Sequence, residues 1–402
     1  MPSTHVSTRQ RIVIGGGLVL SLVSWLVVKP WNTIGWMIGA PFGRDYVNFW
    51  LAPRLVMSGE GWQLVNLTAY NDSARAAFGL GHDPGLVFVY PPHALLFLAP
   101  LALLPFLPAV CLWTAVNLAA LGATLRFCGD RSPIPRATLA WVVCLSPAAV
   151  AMIIYGHFGG LLALASTLVI VEGERRPWLA GFCLACLTVK PQFAGMLGFV
   201  LLCGGRWRCL LPAALCTLAL VGLSFAAFGF EPWRRFVTLT VPFQSAVVSE
   251  FHANWIMTSV TPYFTARFFE VPAALAWAIQ GVVAALGLGA AILALRSRTE
   301  RPVVLTVVLL AVIVSQPYAS HYDLAAVAPA LSLLVLDDEA ASERPPFALL
   351  AWLLVPLARI LAMAGAPVIS VILVATLWVE SRRLLAGWRS PLRAAASVPA
   401  AG

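Results

Sequence analysis

Residues 177–205 read PWLAGFCLACLTVKPQFAGMLGFVLLCGG, which is two apolar segments on either side of the polar tripeptide KPQ. Each apolar segment has about 13 residues, whereas a helix that crosses a bilayer needs ~20. Segments 302–314 and 324–336 flank the polar stretch SQPYASHYD in the same way. We predict short helix pairs whose polar tips lie below the outer membrane surface, lining a groove, because irregular backbone at that depth is tolerated only against protein or a wet cavity.

The composition is that of a membrane protein. Of 402 residues, 60% are hydrophobic and 11% are charged, and the mean hydropathy is +0.86, whereas soluble domains have roughly 25% charged residues. We predict an all-α, polytopic protein of about twelve transmembrane helices in a single integral membrane domain over residues 1–402. The first apolar run is long enough to span and lacks a clear cleavage site, so we interpret it as a retained span. Residues 89–125 fit either two short spans or one span and a re-entrant piece.

The charged residues predict the orientation. The net charge of +9 arises from 26 Lys and Arg against 17 Asp and Glu, and the arginines cluster in short loops, as on the cytoplasmic side of membrane proteins. Five segments are then non-cytoplasmic: residues 30–88, 155–160, 189–192, 229–272 and 315–323. We predict a multi-pass protein of the cell (inner) membrane with its site on that side and residues 385–402 as a cytoplasmic tail. No basic run is interleaved with aromatic residues in a polar setting, so nucleic acid is not an expected partner.

The two large outer loops, 30–88 and 229–272, contain aromatic and basic segments suited to the headgroup region. Residues 47–61, VNFWLAPRLVMSGEG, have the pattern of an amphipathic juxtamembrane helix with a kink at Pro53. Residues 67–81, LTAYNDSARAAFGLG, predict a second and more polar helix. Both would lie in the interface, beside the membrane spans.

Asp45 is the first residue that could carry chemistry, in the stretch GRDYVNFW at 43–50. It is either an N-cap of the following helix or a base. The neighbouring aromatic residues should desolvate the carboxylate and raise its pKa, although Arg44 could oppose this.

Lys190 is the second such residue, and it is one of only two lysines in the chain. A lysine between short apolar helices should face a cavity and an anion. The alternative is a snorkelling lysine.

Further polar residues map to the same predicted face, among them His93, His157, His252, His321 and Asp323. Their spacing does not form a metal motif, and the chain has no phosphate-binding loop. We expect no metal or nucleotide cofactor. An outward-facing chemistry without nucleotide must use either a donor that the membrane carries or no donor.

The motifs GRDYVNFWLAPRLVMSGEG, VYPPHALLFLAPLALLP, YGHFGG, TVKPQ, NWIMTSV and SQPYASHYD occur in this order. The chain resembles glycosyltransferase family 87, of the GT-C superfamily, over roughly residues 10–385. The resemblance implies a GT-C-like fold and transfer of a hexose, in characterised members mannose, from a polyprenyl phosphate to a glycolipid or glycan. The family's catalytic acid matches Asp45 as general base, and His157 stands where the family usually has glutamine.

A polyprenyl phosphate leaves readily, so one carboxylate suffices for an inverting displacement, and cations must hold the phosphate. We assign the phosphate to Lys190, with Arg267 or a histidine assisting. The remaining candidates for substrate binding are Arg44, Tyr46, Tyr90, His93, His157, Gln192, His252, Asn254, His321 and Asp323.

Two other function classes compete with the transferase. A transporter or flippase of a lipid-linked or small anionic substrate also needs a buried lysine and broken helices, often within inverted repeats. The sequence shows no internal repeat. A non-catalytic membrane scaffold would not need Lys190 between short helices.

Overall fold

The protein is described by a computed structural model for residues 6–28, 43–81, 83–129, 134–250, 257–338 and 346–396. Within these ranges the regular secondary structure is helical, and the β structure is limited to an isolated antiparallel bridge between Ser259 and Ser320. The predicted all-α class is confirmed for this part of the chain.

Five of the described helices are longer than the others. They comprise Thr8–Val28, Phe106–Cys128, Leu210–Phe228, Ala273–Arg296 and Ile369–Ala396. By length and composition, 3 described helices can cross a membrane, namely Phe106–Cys128, Leu210–Phe228 and Ala273–Arg296. The helices Arg136–Cys144 and Pro147–Tyr155 follow one another with a bend of 49° between their axes. They would form a fourth span if the bent pair crosses the membrane as one unit. The count of about twelve spans stays a prediction.

Short apolar helices lie between these spans, as the sequence predicts. They comprise Gly159–Glu172, Pro177–Leu187, Pro191–Cys203, Arg301–Ser315 and Ala328–Val335, followed by Phe347–Leu354, a 3₁₀ turn Val355–Leu357 and Ala358–Met363. The first of them has 14 residues, so it rises about 21 Å against a hydrocarbon core of about 30 Å. If one end of a short helix reaches one membrane surface, its other end must therefore lie below the opposite surface.

The ambiguous stretch 89–125 contains one helix of spanning length and one short helix. The short helix is Ala94–Ala102, and Phe106–Cys128 follows after a break at Pro105. Proline at that position starts the second helix because its missing N–H would be unpaired there in any case.

The first outer loop forms the helix Tyr46–Met57, the 3₁₀ turn Gly61–Val65 and the helix Leu67–Phe78. Nine of the 12 residues of the first helix are buried within the protein, and its position at the membrane interface stays a prediction. Its aromatic residues insert into the protein, where the Phe49 ring packs against Trp113 with centroids 5.6 Å apart. Burial of such large rings contributes strongly to the packing of this helix on the protein.

The second outer loop consists of short helices. They are Glu231–Arg235, a π-helical turn Phe236–Thr240, Val241–Ser249 and Pro262–Phe268. Arg235 donates from Nη1 to the carbonyl oxygen of Trp62 at 3.3 Å, so this loop packs against the first outer loop. Gln244 donates from Nε2 to the carbonyl oxygen of Val89, directly after that loop, at 2.8 Å.

The short helices run between two ends of the molecule. At one end Arg206 donates to the carbonyl oxygens of Ile170 and Leu295 at 2.9 and 2.8 Å, and Arg9 pairs with Asp338 at 2.9 Å. Cations suit these positions because the last carbonyl groups of a helix are unpaired. The helices that leave this arginine-rich end lead to the opposite end, where the candidate site lies.

Candidate functional site

The site begins with a tight turn, Gly43–Asp45, held against the end of the helix Pro147–Tyr155. The backbone N–H groups of Gly43 and Asp45 donate to the carbonyl oxygens of Ile154 and Tyr155 at 2.9 and 2.8 Å. Gly156 ends that helix with a φ of +73°, and a Cβ there would come within 2.8 Å of the Gly43 Cα. Glycine is needed because a side chain would both strain this backbone and push the turn away.

This turn delivers the Asp45 carboxylate to two partners. Its Oδ1 accepts from Arg44 Nη1 at 2.5 Å, and its Oδ2 lies 3.2 Å from His157 Nε2. Asp45 occupies the N-cap position of the helix Tyr46–Met57, but within segment 43–81 its side chain makes no capping hydrogen bond. The N-cap hypothesis therefore does not explain the carboxylate.

The environment of Asp45 lowers its pKa. Burial alone would raise the pKa, but the charge of Arg44 and the hydrogen bond and charge of His157 outweigh it and hold the pKa of Asp45 at about 2. The predicted rise in the pKa is wrong in sign, because the desolvation by aromatic residues is smaller than the effect of the two nitrogen partners. Asp45 is an ionised, paired carboxylate over the whole physiological pH range.

His157 lies at the centre of the site. Its ring stacks on Tyr322 with centroids 3.7 Å apart and an interplanar angle of 10°. Its second nitrogen, Nδ1, lies 3.4 Å from the hydroxyl oxygen of Tyr90. His157 is thus held by Asp45 on one edge, by Tyr90 on the other edge and by an aromatic face.

Lys190 and Asp323 form a buried ion pair beside this histidine. The side chains are 11% and 9% exposed, and Lys190 Nζ donates to Asp323 Oδ1. Asp323 Oδ2 accepts from the backbone N–H of Ser320 at 3.1 Å, which completes a capping box. The snorkelling alternative for Lys190 is wrong, because its ammonium group is buried against a carboxylate.

Tyr322 connects the two groups of charges. Lys190 Nζ lies 5.4 Å from the centroid of this ring, and the ring also stacks on His157. Lys190 is also 5.3 Å from the Phe158 ring centroid. A carboxylate–histidine pair and a buried cation therefore lie close together at one end of the molecule, as required of a site that handles both a proton and an anion.

All five segments that the arginine pattern assigns to one side meet here. Besides the contacts above, the backbone N–H of His321 donates to the carbonyl oxygen of Thr258 at 2.9 Å, which attaches the second outer loop. The convergence is a property of the fold, whereas the side of the membrane stays a prediction.

A small pocket opens next to Tyr90. Its walls are mostly apolar and include Leu64, Phe88 and Leu95, and Arg235 is the charged residue at its edge. Tyr90 lines this pocket, and its hydroxyl oxygen lies 3.4 Å from His157 Nδ1.

The other predicted binding residues lie at different distances from this centre. His93 Nε2 lies 3.0 Å from Thr188 Oγ1, in the turn that leads to Lys190, and Gln192 is on the helix that follows that turn. Tyr46 is fully buried between Phe106 and Trp113. For these residues a role in substrate binding stays a prediction.

Arg267 lies on the helix Pro262–Phe268 and donates from Nη1 to the carbonyl oxygen of Val271 at 2.9 Å. Its predicted role in phosphate binding is not tested by this contact. His252 and Asn254 lie outside the described residues.

Sequence reasoning missed Tyr322 and Arg359. Tyr322 lies inside the motif SQPYASHYD, but no periodicity shows that its ring would stack on a histidine 165 positions earlier in the chain. Arg359 acts electrostatically on Tyr155 and His321 at the site. The argument used for Lys190 would have found it, because Arg359 is a lone charge within the apolar run 347–379.

Within the ranges that the structure describes, no three His, Cys, Asp or Glu side chains are grouped so that they could hold a metal ion. The groups available for chemistry are the paired carboxylates, histidines, tyrosines and cations already named. They can move a proton and stabilise an anion.

The family model of glycosyltransferase family 87 matches residues 88–317, which is more than half of the chain. The matched region contains His157, Lys190 and Tyr90 and ends shortly before Asp323. Neither a curated protein nor a solved structure matches the chain.

Proposed function

The chain belongs to glycosyltransferase family 87 and is a membrane glycosyltransferase, and we propose that it transfers a hexose, with mannose as our first choice, from a polyprenyl-phosphate donor to a glycolipid or glycan acceptor. The observation that supports this proposal best is the juxtaposition of two groups at one end of the molecule. One is the Asp45–His157 pair, and the other is the buried ammonium group of Lys190.

The proposed reaction is a single displacement. The acceptor hydroxyl oxygen attacks the anomeric carbon of the donor, its proton is removed, and the polyprenyl phosphate leaves with the bonding electrons. Asp45, as the general base, takes up the proton of the acceptor hydroxyl, and the anomeric configuration is inverted. No metal or nucleotide takes part.

Lys190 is the proposed binding group for the donor phosphate. Its charge is now balanced by Asp323, so the phosphate would share or replace this carboxylate as a partner. A cation that is fixed in a protein interior stabilises a departing phosphate better than one in water, since the surroundings need not reorganise as the charge develops.

The short helices support a membrane-embedded donor. Because they are shorter than a span, they recess the site from the surface, to the depth at which the headgroup of a polyprenyl phosphate would enter from the lipid. The site lies opposite the arginine-rich end, so the rule of cytoplasmic arginines favours a non-cytoplasmic active site in the cell membrane.

A reconstituted assay tests the proposal. The purified protein in lipid nanodiscs is supplied with radiolabelled polyprenyl-phosphate mannose and a lipid extract of the source cells, and labelled products are identified by mass spectrometry. We expect a labelled glycolipid or glycan that is absent with the Asp45→Asn variant. A parallel assay uses the protein in sealed lipid vesicles. Donor that crosses the vesicle membrane unchanged, with no product formed, would indicate the transporter or flippase instead.

The acceptor is best identified in cells. Lipid analysis of a strain that lacks the protein should show a missing or truncated glycolipid, together with its unglycosylated precursor. An unchanged profile of lipids and lipid-linked glycans would contradict the proposal.

A further inference from the structure

Arg359 is a lone charge within the apolar run 347–379. The turn Val355–Leu357 comes directly before it in the chain and packs against both the helix Pro147–Tyr155 and the 3₁₀ helix His321–Ala326. The fold therefore brings Arg359 to the elements that form the candidate site. A charged residue in an apolar run is costly in lipid, so it needs a partner or a ligand of opposite charge.

The nearest polar groups of the site to Arg359 are those of Tyr155 and His321, on which its charge acts. The rings of these two residues meet edge to face, with centroids 5.1 Å apart. His321 is 2% exposed, and its Nδ1 atom has no hydrogen-bond partner among the described residues. A buried polar atom without a partner is costly. The unpaired nitrogen beside an arginine therefore indicates a polar or anionic ligand that the protein does not itself supply.

The charges of the site leave one cation without a balancing carboxylate. Arg44 pairs with Asp45 at 2.5 Å, and Lys190 pairs with Asp323. None of the ion pairs between described residues includes Arg359. A guanidinium group stays protonated at physiological pH, so these five groups together carry one net positive charge.

We propose that Arg359 binds the phosphate of the polyprenyl-phosphate donor, in addition to Lys190, and that the donor neutralises the charge of Arg359. This inference rests on the proposed function. The donor is a phosphodiester with one negative charge, which matches the net charge of the five groups. Without Arg359 the two ion pairs would already be neutral, and the donor would bring an unbalanced charge into a buried site. Arginine suits this role because its N–H groups can bind two phosphate oxygens at once.

The charges also stay balanced through the proposed step. The acceptor oxygen forms its bond to the anomeric carbon while the bond from that carbon to the phosphate oxygen breaks. The electrons of the broken bond leave with the polyprenyl phosphate, which gains a second negative charge. Asp45 takes up the acceptor proton and becomes neutral, so the charge of Arg44 is no longer balanced by a carboxylate. Arg44 and Arg359 then offset the two charges of the phosphate, and fixed cations stabilise such charge as it develops.

The alternative is that Arg359 extends to the headgroups of the surrounding membrane, as arginines near the ends of apolar helices often do. Such a contact would leave the buried Nδ1 of His321 without a partner. A phosphate within the site would satisfy both residues, because a protonated imidazole nitrogen also donates to phosphate oxygens.

Equilibrium binding in nanodiscs of zwitterionic lipid tests the proposal. The probes are polyprenyl-phosphate mannose and the neutral polyprenol of the same chain length. For Arg359→Met we expect donor binding weakened at least ~10-fold, as for the loss of a charge-assisted hydrogen bond, and polyprenol binding unchanged. Arg359→Lys should retain more donor affinity than Arg359→Met because it keeps the charge. The matched control is Arg175→Met, at an exposed position of the arginine-rich end, which should bind both probes as the parent does.

Thermal unfolding of each variant shows whether it is folded, and Arg359→Gln replaces Arg359→Met if the latter does not fold, with the same loss expected. Donor binding equal to that of the parent in the folded, uncharged variant would overturn the inference. If its unfolding temperature also fell, Arg359 would be assigned to the membrane headgroups instead. A parent that binds the donor but transfers no sugar to the lipid extract would overturn the proposed function, and phosphate binding by Arg359 would still be measurable.

Discussion

Lys190 and Asp323, which are 133 positions apart in the sequence, form a buried ion pair where two pairs of short helices meet. Each residue follows a short apolar helix, and either side chain would have to break the ion pair to reach water. A buried charge without a partner is costly. Loss of either partner should therefore destabilise the fold, and the pair keeps a cation available for a phosphate.

Lys190→Met should have two separable effects. Removal of the ammonium group leaves Asp323 buried without its partner, which should lower the free energy of unfolding by about 3–5 kcal/mol. It also removes the proposed phosphate contact, and a charge-assisted hydrogen bond of about 1.5–3 kcal/mol corresponds to donor binding weakened by at least ~10-fold. Thermal unfolding in detergent and equilibrium binding of polyprenyl-phosphate mannose measure the two effects.

The double variant Lys190→Met with Asp323→Asn is the control for stability. It removes both charges, and the asparagine oxygen can still accept from the Ser320 N–H. We expect it to recover most of the lost stability but not the donor binding. Donor binding equal to that of the parent in this folded double variant would contradict the role of Lys190.

Asp45→Asn should abolish most of the transfer while leaving the protein folded. Asparagine keeps an oxygen for Arg44 but cannot take up the acceptor proton at neutral pH, so we expect a loss of at least ~10²-fold with the labelled donor still bound. Since Asp45 makes no capping hydrogen bond, no loss of helix capping complicates the result. The rate of transfer at saturating donor is the measurement.

The matched control is Asp72→Asn. Asp72 is a carboxylate on the helix Leu67–Phe78, its side chain is 56% exposed, and its ion pair is with Arg75. We expect transfer at the rate of the parent. Equal rates for Asp45→Asn and the parent would show that the carboxylate is dispensable.

Gly160→Ala should destabilise the protein. Gly160 lies where the helix Gly159–Glu172 packs on Phe106–Cys128, and a Cβ would clash with the backbone carbonyl of Asn117. Backbone cannot move as a flexible side chain does, so we expect a loss of at least about 1–3 kcal/mol. Gly195→Ala, on the helix Pro191–Cys203, is the control because a Cβ there meets no atom within 4 Å. Equal unfolding temperatures for the two variants would contradict the close approach of the helices Gly159–Glu172 and Phe106–Cys128.

Cysteine labelling tests the orientation. In a background without the eight native cysteines, single cysteines are placed at exposed Ser249, in the second outer loop, and at exposed Arg175, at the arginine-rich end. A membrane-impermeant thiol reagent should label Ser249→Cys but not Arg175→Cys in intact cells, and both after permeabilisation. Labelling of only Arg175→Cys in intact cells would reverse the predicted orientation.

The sequence by itself determined the helical membrane class, the short helix pairs and the identity of Asp45, His157, Lys190 and Asp323 as unusual polar residues. These features are readable because hydropathy and charge are local properties. An apolar segment of about 13 residues is too short to span in any fold, and a lone lysine in an apolar run needs an anion wherever that run lies.

The tertiary structure decided which of these residues act together. It joined Asp45 to His157, which is 112 positions away, and it stacked His157 on Tyr322. It also buried nine of the 12 residues of the helix Tyr46–Met57 within the protein. The pKa of Asp45 is lowered, whereas the sequence predicted a rise, because this shift also depends on tertiary contacts. Burial and the distances to Arg44 and His157 compete at that carboxyl, and both depend on how segments far apart in the chain pack, so no local pattern determines them.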